Sequence, residues 1–155
     1  MIVGLISDTH GLVRADVHTA LAGVDLILHA GDVGGQAILD ELALIAPVRA
    51  VYGNTDPLGE PGLEEAIDIT IDGVRIHVSH GHETGRPTPE ALAAAYDADL
   101  IVYGHTHRQR VDRIGGRLVV NPGAAGARRF DLLPSVGIAR IAAATAEVTL
   151  VDLAT

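Results

Sequence analysis

Five apolar runs, IVGLI, DLILHA, VRAVY, VRIHV and DLIVY, each end on a short motif that carries metal-ligating side chains. The motifs are Ser7-Asp8-Thr9-His10, Gly31-Asp32, Gly53-Asn54, Ser79-His80-Gly81-His82 and Gly104-His105-Thr106-His107. Short runs of this kind suit buried strands. A strand that delivers an Asp, Asn or His to one sheet edge is how an open α/β fold builds a site at the carboxyl ends of its strands. Five such deliveries imply one shared site, so the strands must bring their ends together.

The residue types narrow the chemistry. Two carboxylates, one amide oxygen and several imidazoles form a mixed oxygen and nitrogen donor set, which suits Mn, Fe, Zn, Co or Ni better than the all-oxygen cages of Ca and Mg. The chain has no cysteine to soften such a site. In an extended segment residues i and i+2 point to the same side. Asp8 with His10, and His105 with His107, are therefore expected to present their ligand atoms in pairs. So many candidates exceed what one ion takes from side chains, and two ions about 3.5–4 Å apart, sharing a bridging carboxylate, are the natural solution.

The ordered set D-x-H, GD, GN, H and GHxH resembles the calcineurin-like metallophosphoesterases. The short length, His80-Gly81-His82 and Asn121-Pro122-Gly123 make the chain similar to the small bacterial and archaeal phosphodiesterase branch of that family. The matching motifs run from Asp8 to Gly123. The resemblance implies that Asp8, His10 and His107 hold one divalent ion, that Asn54, His80 and His105 hold a second, and that Asp32 bridges them. It further implies two ions, with Mn expected first and Ni, Fe, Zn or Co as alternatives. The implied activity is phosphoester hydrolysis, most of all of diesters, by in-line attack of a hydroxide bound to the dinuclear centre. The implied fold is an α/β four-layer α-β-β-α sandwich of two mixed sheets. A phosphomonoesterase is a further possibility, as is a non-catalytic scaffold, since the retromer scaffold subunit shares this fold and works through its surface. Completeness of the ligand set favours the enzyme.

One position departs from the family pattern. Many relatives carry His after the GN pair, whereas this chain reads Gly53-Asn54-Thr55-Asp56. Without that acid, poor leaving groups should suffer most, because an alkoxide departs with high charge on oxygen. His82, two residues beyond His80, is the candidate to take over part of that catalytic role.

Composition agrees with this reading. A chain of 155 residues fits one domain, residues 1–155, with a sizeable core. With 48% hydrophobic but only 3% aromatic residues, that core must be assembled from Val, Ile, Leu and Ala. The formal charge of −9 repels nucleic-acid backbones, and few aromatics are available for base stacking, so bulk nucleic-acid binding is not expected. A small phosphoester remains compatible, because two divalent ions bring about +4 against Asp8 and Asp32. There is no Lys, which excludes P-loop and Schiff-base lysine chemistry. No apolar run approaches the ~18 residues of a membrane span, and the first residues lack a basic leader. A cytoplasmic protein without membrane contact is expected.

Along the chain, 2–6, 25–29 and 48–52 read as strands and 14–22 and 35–46 as helices, a β-α-β-α-β start that predicts a parallel sheet. Residues 58–66 read as a loop. Segments 66–71 and 74–78 flank Asp72-Gly73, a strong hairpin signal. A helix is predicted over 88–98, with Thr88 as cap and Pro89 in the first turn. A strand near 99–103, a hairpin over 110–121 around Gly115-Gly116, and closing strands 136–141 and 147–153 follow, with 142–146 as a turn. The apolar closing strands could cover a partner edge in a homo-oligomer.

Other residues carry two readings. His29 either orients a ligand or packs structurally. His18 is expected at the surface, and His77 should face away from the core shared by Ile76 and Val78. Arg128 and Arg129 read as solvated side chains rather than a phosphate clamp, and so do Arg86 and Arg108 beside the metal motifs. Asp56 either bonds within its loop or orients a ligand.

Overall fold

Alternation along the first strand divides its side chains between two layers. In β1 (Ile2–Ile6), Val3 and Leu5 enter one core cluster and Ile6 another, while Gly4 lies so close to Leu21 that a Cβ there would be 3.0 Å from its side chain. A strand buried on both faces needs a covering layer on each side. The computed structural model, which describes residues 1–129 and 131–153, supplies both.

One sheet has six strands in the order β11-β10-β1-β2-β3-β4. Its parallel part is β1, β2 (Leu26–His29), β3 (Val48–Val51) and β4 (Leu63–Glu64), and β10 (Ser135–Ala142) and β11 (Thr145–Asp152) add antiparallel. The second sheet has five strands, β5 (Ile67–Ile71), β6 (Val74–Val78), β7 (Leu100–Val102), β9 (Arg117–Asn121) and β8 (Arg110–Ile114), in that spatial order. Here β6, β7 and β9 are parallel, and the two hairpins β5-β6 and β8-β9 are antiparallel.

Three core clusters stack between these layers. Val3, Leu5, Leu28, Val51, Ile67, Ile76, Leu100, Val102 and Val120 join the sheets face to face. Helices α1 (Ala15–Ala20) and α2 (Gln36–Leu42) cover the six-stranded sheet through Val17, Leu21, Ile38, Leu39 and Leu42. Helix α3 (Pro89–Ala95) covers the other through Leu92, Ala93, Ile101, Tyr103 and Val119. The result is the expected α-β-β-α sandwich of two mixed sheets. Each fully buried Leu or Ile contributes roughly 1.5–3 kcal/mol, which is how a chain so poor in aromatics holds together.

Several elements differ from the sequence reading. All three helices are shorter than predicted, because irregular turns rather than further helix complete segments 21–23 and 43–46. Within the expected loop 58–66, Leu63–Glu64 forms β4, a parallel edge strand too short to show a hydrophobic period. His77 does face away from the inter-sheet core, but it is buried, stacked on Tyr96 with ring centroids 3.7 Å apart. The helix layer outside the second sheet covers it. His18 is part exposed and reaches Glu41 across α1 and α2 at 3.0 Å. No helix among the described residues is long and apolar enough to cross a membrane.

The turn between β10 and β11 holds both Ala143 and Ala144 at positive φ, 51° and 61°. The other two hairpins place Asp72-Gly73 and Gly115-Gly116 in this conformation. A left-handed Ala costs roughly 1–2 kcal/mol, whereas Asn-Gly adopts this hairpin turn readily. Ala143→Asn with Ala144→Gly should therefore raise unfolding free energy by about 1 kcal/mol after the added chain entropy of Gly. Urea denaturation checks this, and a fall in stability would show that the turn is not strained.

Candidate metal centre

Because β1, β2 and β3 run parallel, as do β6 and β7, their carboxyl ends deliver Asp8–His10, Asp32, Asn54, His80–His82 and His105–His107 to one edge of the sandwich. The seven sequence-derived ligand candidates lie together there. Atoms of Asp8, His10 and His107 all fall within 4.8 Å of one another, and so do those of Asp8, Asp32 and His80. His107 Nε2 is 3.4 Å from Asp8 Oδ1. Asp32 Oδ2 lies between the two halves, 3.5 Å from His10 Nε2 and 3.3 Å from His80 Nε2. Asn54 Oδ1 and His105 Nδ1 approach to 3.1 Å, with the His105 and His80 rings 5.2 Å apart.

The pairing of i and i+2 residues arises differently from the extended geometry expected. Strands β1 and β7 end at Ile6 and Val102, before the motifs begin. Asp8, His10, Asp32, His105 and His107 all have positive φ, between 46° and 75°. Single left-handed residues turn each side chain inward, and they send His105 and His107 to different parts of the cluster. Non-glycine residues in this region are uncommon and cluster at functional sites.

The glycines of the motifs have a steric reason. A Cβ on Gly53 would collide with Asp32 Oδ1, and one on Gly104 would lie 2.6 Å from Asp8 Oδ2. On Gly31 it would sit 2.8 Å from His80 Nδ1. The loops approach so closely that only glycine fits.

A surrounding set of hydrogen bonds fixes the orientation of the ligand candidates. Ser7 Oγ and the His105 N–H both donate to Asp8 Oδ2, at 2.7 and 3.1 Å, leaving Oδ1 facing the cluster. The Thr55 N–H donates to Asp32 Oδ1 at 2.9 Å, leaving Oδ2 for the cluster. His80 Nδ1 donates to the Ala30 carbonyl at 2.7 Å, which turns Nε2 inward. Asp8 Oδ1, His10 Nε2 and His80 Nε2 are buried with no hydrogen-bond partner among the described residues. Buried polar atoms are rarely left so. A divalent cation is the partner this donor set fits.

Electrostatics lead to the same conclusion. Burial alone would raise the Asp8 carboxyl, but His10, His107 and His80 around it hold it well below the usual carboxylate range. Asp32, also opposed by burial, is brought down to about 2 by His80 and the Thr55 N–H. Burial works against protonation of His80, yet the two carboxylates raise its pKa overall. His105 is lowered by burial and by His80.

The remaining candidates and the parts missed in the sequence complete the wall. Asp56 does both things considered for it, accepting from the Gly53 N–H of its own loop and from the Val33 and Gly34 N–H groups beside Asp32. Asn121 was visible only as part of a motif. Its amide donates to the Gly104 carbonyl and Thr106 Oγ1 and so ties down the GHxH loop. His82 begins a 3-10 turn (His82–Thr84), its ring 5.4 Å from His80 and 6.4 Å from His105. Arg128 and Arg129 are exposed.

His29 is wholly buried behind the cluster. Its Nδ1 accepts from the Gly31 N–H, so Nε2 carries the proton and donates to Thr9 Oγ1, which in turn donates to the Val33 carbonyl. Thus His29 connects β2 to both Asp-bearing loops in its neutral form, and burial pulls its pKa down to about 4. The unfolded chain takes up this proton near 6.5, so between these values unfolding gains a proton and stability falls as pH falls. Chelator-treated protein should lose up to ~1.4 kcal/mol per pH unit from this group across that window. His29→Gln should flatten the slope in urea titrations at pH 7, 5.5 and 4.5. An unchanged slope would contradict the neutral assignment.

Residues 1–144 match the calcineurin-like phosphoesterase superfamily domain. The chain is 35% identical over 151 residues to a probable metallophosphoesterase of Methanothermobacter thermautotrophicus, covering 91% of this chain and 86% of that protein. It is 26% identical to a phosphodiesterase of Methanocaldococcus jannaschii, over 89% and 92% of the two chains. Among solved structures it is similar to Vps29 of Entamoeba histolytica complexed with zinc, with a TM-score of 0.80, 27% identity and coverage of 98% and 99%.

Proposed function

The chain belongs to the calcineurin-like phosphoesterase superfamily, and from that premise we propose that it is a metal-dependent phosphodiesterase working through a dinuclear centre. The observation that carries this reading is the group of inward-facing, unpartnered atoms Asp8 Oδ1, His10 Nε2 and His80 Nε2 around the shared Asp32 Oδ2. In this reading Asp8, His10 and His107 would hold one divalent ion, Asn54, His80 and His105 would hold the other, and Asp32 would serve both. Manganese is the first candidate by donor type. When bound, such a pair supplies Lewis acidity toward the phosphoryl oxygens and lowers the pKa of water.

The protein's own groups then do the positioning. Ser7, Thr55, Ala30 and the backbone of His105 hold the donor atoms in one arrangement, so little reorganisation is needed when a substrate phosphate arrives. The carboxylates stay ionised throughout the physiological range, since Asp8 and Asp32 are both held below their ordinary values. Thr55 stands where many relatives have His and offers no acid, so protonation of the departing oxygen falls to His82. Its ring is the next imidazole beyond His80 and borders open space beside the cluster. The intact donor set disfavours a purely non-catalytic scaffold. The substrate is a small phosphoester, and the place of work is the cytoplasm.

Hydrolysis of nitrophenyl and alkyl phosphodiesters by chelator-stripped protein resupplied with Mn²⁺ tests this. Activity should require the metal, and Asp32→Asn should reduce kcat/KM by about three orders of magnitude, the several kcal/mol expected of the metal centre. His82→Ala should slow the alkyl ester by about tenfold or more and the nitrophenyl ester much less. Metal-independent cleavage, or full activity in Asp32→Asn, would overturn the reading. Equal effects of His82→Ala on both esters would remove His82 from the acid role.

A further inference from the structure

Two cavities of opposite character adjoin the ligand cluster. One, of about 500 Å³, is bordered by His82 and Tyr52, and its lining carries Glu65, Asp68, Glu83 and Asp97, the last paired with Arg75 and Arg117 from outside the cavity. The other, of about 610 Å³, is bordered by His105 and Thr106 and carries Arg86, Arg108 and Arg110, with Glu90 as its one carboxylate among the described residues. The His82 and His105 rings that face these cavities are 6.4 Å apart. The cluster thus adjoins an acidic space lined by His82 and a basic space lined by His105.

The arginines of the basic cavity are not equivalent. Arg110 is neutralised by Asp112 through bonds of 2.7 and 2.9 Å. Elsewhere Arg49 is bound by Glu64, and Arg75 and Arg117 by Asp97 and Asp99 or Asp97 alone. The exposed guanidinium groups of Arg86 and Arg108 have no such partner among the described residues. Arg113, Arg128, Arg129 and Arg140 also have no carboxylate partner among the described residues, but only Arg86 and Arg108 line a cavity together with a proposed ligand, and that pairing suits the cavity to an anion. Guanidinium forks bind phosphate by paired, charge-assisted hydrogen bonds. The volume also exceeds what a lone phosphate needs and is in the range of small-molecule sites.

We propose that the cavity beside His105 is the subsite for a phosphate-bearing arm of the substrate, so that the preferred phosphoester carries a second phosphate held by Arg86 and Arg108. This rests on the phosphoesterase reading of the adjoining cluster. Charge fixes the orientation, because the acidic cavity at His82 repels the same arm and leaves that side for an uncharged or hydroxyl-bearing group.

The test compares two esters that differ by one phosphate, thymidine 5′-(nitrophenyl phosphate) and its 3′-phosphorylated form, with Mn²⁺-loaded protein. Calorimetry with thymidine 5′-monophosphate and thymidine 3′,5′-bisphosphate accompanies it. The added phosphate should lower KM, and the Kd of the matching nucleotide, by about tenfold or more, the value of one or two charge-assisted hydrogen bonds. In Arg86→Gln/Arg108→Gln the members of each pair should agree within about twofold, since the neutral amides cannot replace the guanidinium forks. Hydrolysis of both esters with no preference in the wild type, or a preference that survives in the double variant, overturns the subsite while leaving the phosphoesterase reading intact. Absence of hydrolysis with the calorimetric preference present overturns the phosphoesterase reading and supports the phosphate site alone.

Discussion

Asp8 and Asp32 bring two buried carboxylate oxygens to within reach of the same imidazoles, and Asp8 Oδ1, His10 Nε2 and His80 Nε2 have no hydrogen-bond partner among the described residues. Directly behind the cluster, by contrast, both ring nitrogens of the buried His29 are satisfied, by Gly31 and Thr9. The contrast is informative because an unpaired buried charge costs several kcal/mol unless something compensates it. In the metal-free protein His80 offsets part of that cost by holding its proton more tightly. A divalent cation would offset it more fully, which is why the cluster reads as a metal centre before any family is considered.

The sandwich follows from the same requirement. Donors from β1, β2 and β3 of one sheet must meet donors from β6 and β7 of the other, so the sheets pack with those ends together. Delivery at such short range calls for abrupt turns. Five of the ligand candidates accept left-handed backbone, at a cost of order 1–3 kcal/mol each. Hydrogen bonds donated by Ser7, Thr55 and Asn121 and accepted by Asp56, together with glycines that admit neighbouring loops at close range, hold these turns in place. Rigidity around the cluster thus comes from residues that are not themselves ligand candidates.

Much of this was legible in the chain because it lies in local signals. Apolar runs followed by Asp, Asn or His marked the strands and the candidates they carry, and Asp72-Gly73 and Gly115-Gly116 marked two hairpins. What escaped was non-local or conformational. The left-handed φ of Asp8 and His107 contradicts the extended geometry that simple alternation suggests, and the modest enrichment of Asp and His in that region is too weak to locate it from sequence. β4 has two residues, too few for a period, and exists because Leu63 and Glu64 can pair with β3. Asn121 holds the GHxH loop from 17 positions away in sequence, so its role emerges only when β9 is set beside β7. Burial of His77 depends on α3, which lies outside the strand that suggested its direction.

The central claim is that one carboxylate, Asp32, joins two metal positions. Titration of chelator-stripped protein with Mn²⁺, followed by electron paramagnetic resonance, examines it without reference to any substrate. Two ions per chain with a spin-coupled spectrum, replaced in Asp32→Asn by weaker and uncoupled binding, is the predicted result. A single ion at saturation, or two ions that remain uncoupled in the wild type, would contradict the account.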